Sequence, residues 1–202
     1  MNKHIFLTLQ PLILASASPR RQQFLHNLGI EFSVVTSDID ETPIPGEPPD
    51  VFAQRMAKDK ANKVASSNPE SWIIGADTVV TPQDGTILGK PGNPKEALSM
   101  LNQLNNTTHR VMTGICLFHQ NKGIETVIVE TTEVTFMNNT DALLKAYVRT
   151  GEPLDKAGSY GIQGLGSFLV ESINGSCTNV IGLPVNRLIS LLITNDIIVP
   201  FS

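Results

Sequence analysis

Apolar positions along this chain recur at two spacings, and the changes from one to the other mark its elements. Leu12-Ile13-Leu14 is a short apolar run that reads as a buried strand. Ser18 and Pro19 then stand where an N-cap and a first helical residue belong. Phe24, Leu25 and Leu28 share a helical face, and Gly29 closes it. Phe32 to Thr36 reads as a second strand, followed by the acidic stretch Asp38-Ile39-Asp40-Glu41 and a proline-rich turn through Pro49. Asp50 is placed to cap a helix carrying Val51, Phe52, Met56, Ala57, Ala61 and Val64 on its apolar side, with Lys58, Lys60 and Lys63 off that seam. Trp72-Ile73-Ile74 is another buried run, ending at Gly75-Ala76-Asp77-Thr78. Val79-Val80, the Asp84-Gly85 turn and Thr86-Ile87-Leu88 then read as a hairpin.

Farther on, Pro94 to Leu104 has helical spacing. Arg110 to Phe118 and Ile124 to Phe136 read as two long strands joined across Asn121-Lys122-Gly123, the second alternating like a half-exposed antiparallel ribbon. Asp141 to Val148 is a helix, Gly158 to Gly166 is dense in glycine, and Ser167 to Ile173 reads as a strand. Pro184 opens a last helix with Leu188, Leu191 and Leu192 inward. Strand–helix units mixed with hairpins, with no internal repeat and no linker-like stretch, predict an α/β fold on a mixed sheet.

Composition narrows the function classes. The 202 residues carry a net charge of −4, with 41% hydrophobic and 17% charged residues, as in an ordinary globular protein. No basic run exceeds Arg20-Arg21, so a duplex-binding face is not expected. Cys116 and Cys177 sit in no CxxC and no zinc spacing, and two buried free thiols are expected. Ile5 to Leu9 is too short for a secretory apolar core, and no run approaches transmembrane length, so a cytoplasmic protein without membrane partners is expected.

Five constellations can carry chemistry, and each has a plainer reading beside it. Ser16-x-Ser18-Pro19-Arg20-Arg21 joins a helix start, two hydroxyls and two guanidiniums, which favours an anion, or is a capped helix with two solvated arginines. Asp77 at a strand's end can take a proton from water or hold a divalent metal, or is a turn aspartate. Asp38, Asp40 and Glu41 suit Mg²⁺, or form a solvated acidic loop. Lys60, Lys90 and Lys156 suit a leaving pyrophosphate, or are surface residues. Asp155-Lys156-Ala157-Gly158-Ser159-Tyr160-Gly161-Ile162-Gln163-Gly164 lets backbone approach a ligand and offers the Gln163 amide to a pyrimidine edge, or is a tight structural turn.

Taken in order, Ser16-Ala-Ser-Pro-Arg-Arg21, Ile39-Asp-Glu41, Lys60-Ala61, Gly75-Ala-Asp-Thr-Val-Val80, Gly89-Lys-Pro91, Asp155 to Gly164 and Val180-Ile-Gly-Leu-Pro184 resemble the Maf family of nucleoside triphosphate pyrophosphatases over nearly the whole chain. The resemblance implies one Maf-like domain over 1–202, with 1–10 as an extra leader. It implies an inosine-triphosphate-pyrophosphatase-like fold: a long twisted mixed sheet flanked by helices, in two lobes with a central cleft. It also implies hydrolysis of the α–β phosphoanhydride bond, a divalent cation (Mg²⁺ or Mn²⁺) and a homodimer. By resemblance Asp77 is the proton acceptor, Arg20, Thr78 and Gln163 select the base, and Ser16, Arg21, Glu41, Lys60 and Lys90 line the site. Lys156 joins the substrate-binding set, and Glu41 and Asp77 are the expected metal ligands. The SPRR, GADT and YGIQG runs resemble the dTTP/UTP-type members. A nucleotide-binding regulator of cell division without turnover, and a 7-methyl-GTP pyrophosphatase, are the alternatives.

Overall fold

The computed structural model describes residues 5–201. In chain order the elements are β1 (Phe6–Thr8), β2 (Leu12–Leu14), α1 (Pro19–Asn27), β3 (Ser33–Val34), α2 (Pro49–Ala65), β4 (Trp72–Thr81), α3 (Pro94–Leu104), β5 (Thr108–His119) and β6 (Ile124–Phe136). They continue with α4 (Asp141–Arg149), β7 (Val170–Asn174), α5 (Cys177–Ile181), α6 (Val185–Thr194) and β8 (Ile198–Pro200). Six strands form a mixed sheet in the order β3-β2-β4-β5-β6-β7. β2 runs parallel to both β3 and β4, and β6 antiparallel to β7. β1 and β8 pair separately. This is the expected α/β fold with helices flanking a mixed sheet.

The chain divides into two compact units. The first comprises Met1–Asp77, Thr113–Val129 and Gly182–Ser202, and the second Thr78–Met112 and Glu130–Ile181. Within the first, the pleat sorts consecutive strand residues onto opposite faces. Leu12, Leu14, Ile74, Ala76, Ile115 and Leu117 join Leu25 of α1 and Leu188 and Leu192 of α6 in one buried cluster. Ile13, Ala15, Ile73 and Cys116 join Ala57, Ala61 and Val64 of α2 in another. Apolar runs buried on both faces are what this sandwiching requires. In the second unit, Ala97, Leu101 and Leu104 of α3 pack with Leu144, Tyr147 and Val148 of α4 around Val111, Val134 and Phe136. The Asn93 side chain caps α3 by accepting from the Lys95 and Glu96 amides, each at 3.0 Å.

Several boundaries differ from the expectation. The strand at 32–36 shrinks to Ser33–Val34 at the sheet edge. The strand at 167–173 is a 3-10 turn over Leu165–Leu169 followed by β7, because the Glu152 carboxylate accepts the Leu165 and Gly166 amides and curls the backbone there. Within the leader, and without bearing on its being extra to the family segments, Phe6–Thr8 form β1 and pair with β8. The expected hairpin after β4 is reduced to one bridge between Val80 and Leu88. Cys116 is buried as expected, whereas Cys177 is exposed, because it opens a five-residue helix whose inward residue is Asn179. No helix among the described residues is long and apolar enough to cross a membrane.

Candidate active site

Small residues bring the first unit's charged groups together. α2 turns Ala53, Ala57 and Ala61, all fully buried, toward the sheet. A Cβ at Gly75 of β4 would run into the Ala57 carbonyl oxygen, and one at Gly114 of β5 into that of Ala53. Helix backbone therefore lies directly against strand backbone, a closeness that glycine alone permits. Lys60 is carried in by this contact. Its Nζ donates to Asp77 Oδ1 at 2.7 Å and pairs with Glu41 Oε1 at 2.7 Å. The Lys60 and Asp77 side chains are only 10% and 13% exposed, so the pair is largely shielded from water, while Glu41 is 58% exposed. Lys60 thus lies on the buried face of α2 and not off its seam. It follows Ala57 by three residues and precedes Val64 by four, both inward spacings.

The paired arginines have different environments. Arg21 is buried on α1 beside Leu25. Its Nε donates to the Gly182 carbonyl at 2.8 Å, and its Nη1 donates to the Ser16 hydroxyl at 3.0 Å and to the Ala76 carbonyl at 2.8 Å. One planar fork therefore ties α1 to the β2–α1 loop, to β4 next to Asp77, and to the turn before α6. Burial lowers the guanidinium's pKa, and the Asp77 carboxylate beside it acts in the opposite direction. Arg20 is half-buried in the same first turn. Ser18 takes the N-cap position, but its side chain makes no capping bond. Its amide donates instead to Ser16 Oγ at 3.3 Å.

Asp77 lies inside β4 and not at its end. The parallel neighbour β2 pairs with β4 only as far as Ile74, so Asp77 stands just past the carboxyl end of β2, where open α/β sheets place their ligand sites. Burial raises the Asp77 carboxyl above its ordinary range, while Lys60 and Arg21 pull it down and Glu41 pushes it up. A carboxylate made more basic in this way suits proton abstraction. The acidic loop is folded for a separate reason. Asp40 Oδ1 accepts from the Thr42 amide at 2.9 Å and the Thr42 hydroxyl at 2.6 Å. Arg55 of α2 grips Glu47 with two bonds of 2.7 Å and reaches the Thr42 carbonyl at 3.2 Å. Of the clustered acids, Glu41 alone is paired with Lys60 among the described residues. The Arg55–Glu47 pair leaves no signal in the sequence, since no spacing rule links a loop acid to a helix arginine eight residues on.

A model of Maf-like proteins matches residues 11–195. The chain belongs to the Maf family. The "dTTP/UTP pyrophosphatase" of Halalkalibacterium halodurans is 50% identical to this Maf chain over 184 residues, spanning 91% of it and 95% of the relative. The protein of the same name from Desulfotalea psychrophila is 46% identical over 189 residues, spanning 94% and 96%. Among solved structures, the Staphylococcus aureus Ham1 protein superposes with a TM-score of 0.53 at 15% identity, covering 92% of this chain and all of that one. At that identity the likeness speaks for the fold alone.

The second unit of the Maf chain holds the remaining expected residues. Thr78 follows Asp77 on β4. Lys90 is exposed in the loop after Leu88, and its neighbour Gly89 accepts the Gly158 amide at 3.1 Å, which joins the Gly-Lys-Pro loop to the glycine-dense one. Lys156 is buried, with Nζ bonded to the Glu152 carbonyl and to Asp155 Oδ1, each at 2.6 Å. Gln163 is exposed on the same loop. Among the described residues no group of three or more His, Cys, Asp or Glu converges. The Glu41 and Asp77 carboxylates do converge, on the Lys60 ammonium. Lys60 already neutralises one oxygen of each acid, so a Mg²⁺ or Mn²⁺ ion would have to use their other oxygens, the hard ligand type such ions take.

Proposed function

We propose that this Maf protein hydrolyses dTTP and UTP, and modified pyrimidine triphosphates, to the nucleoside monophosphate and pyrophosphate. The observation that carries the reading is Asp77: a shielded carboxylate of raised basicity, oriented by Lys60 and backed by Arg21 through the neighbouring Ala76 carbonyl. Relatives sharing about half of its residues bear the name dTTP/UTP pyrophosphatase.

In this mechanism Asp77 accepts a proton from water as the water oxygen bonds to the α-phosphorus. The bond from that phosphorus to the α–β bridging oxygen breaks, and pyrophosphate leaves with the electron pair. Lys60 fixes which Asp77 oxygen faces the water. Arg20, Ser16 and the amides at the start of α1 bind phosphate oxygens, as a helix N-terminus does. Arg21 keeps Ser16 and Ala76 in place. Lys90 takes charge on the pyrophosphate, Thr78 and Gln163 select the base, and Lys156 enters by shaping the loop that bears Gln163. Glu41 and Asp77 would hold the divalent cation, which supplies charge neutralisation for the phosphate oxygens when bound. We further propose that the protein acts in the cytoplasm as a homodimer, which analytical ultracentrifugation of the full chain tests: a monomer would refute the dimer.

The test is Asp77→Asn in a panel of canonical and modified triphosphates. Pyrophosphate release from dTTP and UTP is expected to fall by about 10²–10⁴-fold with the fold intact. A folded Asp77→Asn protein at the native rate would refute the role. A panel led by 7-methyl-GTP would overturn the pyrimidine assignment, and tight UTP binding without any pyrophosphate would identify a regulator.

A further inference from the structure

The second unit contains a polar hub with no part in the chemistry above. Tyr147 of α4 and Glu152, in the 3-10 turn Glu152–Asp155, form a pair: the Tyr147 hydroxyl donates to Glu152 Oε1 at 2.9 Å. The backbone of 161–166, which carries Gln163, is fastened to this pair at both ends. Tyr147 Oη accepts the Gly161 amide at 3.3 Å. Glu152 Oε2 accepts the Leu165 amide at 2.9 Å, and Oε1 the Gly166 amide at 3.1 Å. Close packing reinforces the hold. Gly164 has a φ of 120°, and a Cβ there would sit 2.9 Å from Glu152 Oε2. One at Gly166 would strike the Tyr147 hydroxyl, and one at Gly161 would fall 2.7 Å from Lys156 Cε. Burial works to raise the Glu152 pKa, but the two amides, the phenol and Lys156 outweigh it, and the carboxyl is held below its usual range. The hub therefore stays an ionised acceptor of three donors while Gln163, between the fastened ends, presents an exposed side chain.

We propose that Glu152, supported by Tyr147, is a positioning residue that sets pyrimidine selectivity by fixing the backbone on either side of Gln163. It touches no substrate and acts through the loop alone. This rests on the proposed function, in which Gln163 reads the base.

The experiment is steady-state kinetics of the full chain with dTTP, UTP, ATP and GTP, alongside amide hydrogen exchange across 161–166. Glu152→Gln keeps the size but sets an NH₂ group against the Leu165 amide or the Gly166 amide, donor facing donor. KM for dTTP and UTP is expected to rise about tenfold, the equivalent of one lost charge-assisted bond, with kcat changed far less. The pyrimidine-over-purine ratio of kcat/KM should fall by about the same factor. Exchange should quicken at Leu165 and Gly166 and stay unchanged in α1 and α2. Tyr147→Phe keeps the carboxylate contacts to Leu165 and Gly166, and is expected to shift the ratio in the same direction by less. Should Glu152→Gln not fold, Tyr147→Phe carries the test alone. A folded variant with quickened loop exchange and an unchanged ratio, or an equal loss of kcat for every base, overturns the inference while the function stands. A wild type that releases no pyrophosphate from dTTP or UTP overturns the function and this inference with it.

Discussion

Replacing Lys60 with methionine removes the one ammonium between Asp77 and Glu41 while keeping most of the stem's volume. The cost can be worked from the site. Asp77 is left 13% exposed with its 2.7 Å partner gone. Breaking a buried pair from one side costs about 3–5 kcal/mol. An independent ceiling agrees, because the carboxyl can always take up a proton. At pH 7 that costs about 1.4 kcal/mol for each unit above an aspartate's ordinary pKa of ~3.9, or ~4 kcal/mol. A loss of this size lowers the melting temperature of a chain this long by roughly 10 °C. Exposed Glu41 adds nothing appreciable. The pH dependence has a definite sign. Burial already raises the Asp77 pKa in the native protein, with Lys60 opposing it by charge and by hydrogen bond. Deleting Lys60 raises that pKa further. A carboxyl whose folded pKa exceeds its unfolded one makes the folded state the better proton binder, so stability falls as pH rises through the interval between the two. The melting deficit of Lys60→Met should be smallest near pH ~4 and complete above the Asp77 pKa. Pyrophosphate release should show its acid limb in kcat/KM moved to higher pH. A variant with the native melting curve at neutral pH and an unmoved acid limb would show that Lys60 does not govern Asp77.

Three further outcomes follow from the same geometry. Gly75→Ala puts a methyl against the Ala57 carbonyl and should cost about 1–3 kcal/mol by thermal melting, with activity lost beyond what stability explains, because α2 carries Lys60. His109 is 1% exposed, bonded through Nε2 to the Tyr160 hydroxyl at 2.8 Å, and burial pushes its pKa down to about 4. Its contribution is whole above the unfolded value of ~6.5 and is lost as pH falls toward 4, so acid melts of His109→Phe should lack about 3 kcal/mol of the native protein's pH dependence. Arg21→Lys keeps the charge but cannot make the three-way fork, and should lower kcat through Ala76 and Asp77, whereas Arg20→Lys should act mainly on KM.

The sequence made legible what depends on local spacing. α3 begins and ends where Pro94 and Leu104 said, because its cap and apolar stripe are both local signals. The double-sided burial of Leu12–Leu14 and Trp72–Ile74 followed from unbroken apolar runs. Pairings across long separations left no such trace. β1 meets β8 across almost the whole chain, and nothing in Phe6–Thr8 names Ile198–Pro200 as its partner. Lys60 misled for a related reason. A lysine on an alanine-rich seam reads as solvent-facing until the buried acid awaiting it is known. Glu152 is silent in the sequence because most of its partners are backbone amides, which every residue has and no motif advertises.

The adjacent arginines show how one motif can divide its labour. Helical geometry turns successive residues by about 100°, so Arg20 and Arg21 cannot both face inward. Arg21 shares the inward side with Leu25 four residues on, and once there a guanidinium without acceptors would be costly. The acceptors it finds are the carbonyls of Ala76 and Gly182, from segments more than a hundred residues apart in the chain. A buried fork of this kind discriminates sharply between right and wrong placements of those segments, since each misplaced carbonyl leaves an N–H of a charged group unsatisfied. The position of Asp77 is therefore inherited from Arg21 through the backbone and from Lys60 through the side chain. Its basicity, in turn, comes from the burial that these contacts enforce. Disturbing either contact should loosen the carboxylate, but with different signatures: Lys60→Met removes a charge and moves the pH profile, while Arg21→Lys keeps the charge that also lowers the Asp77 pKa, so it should move the strand and shift the profile's midpoint less.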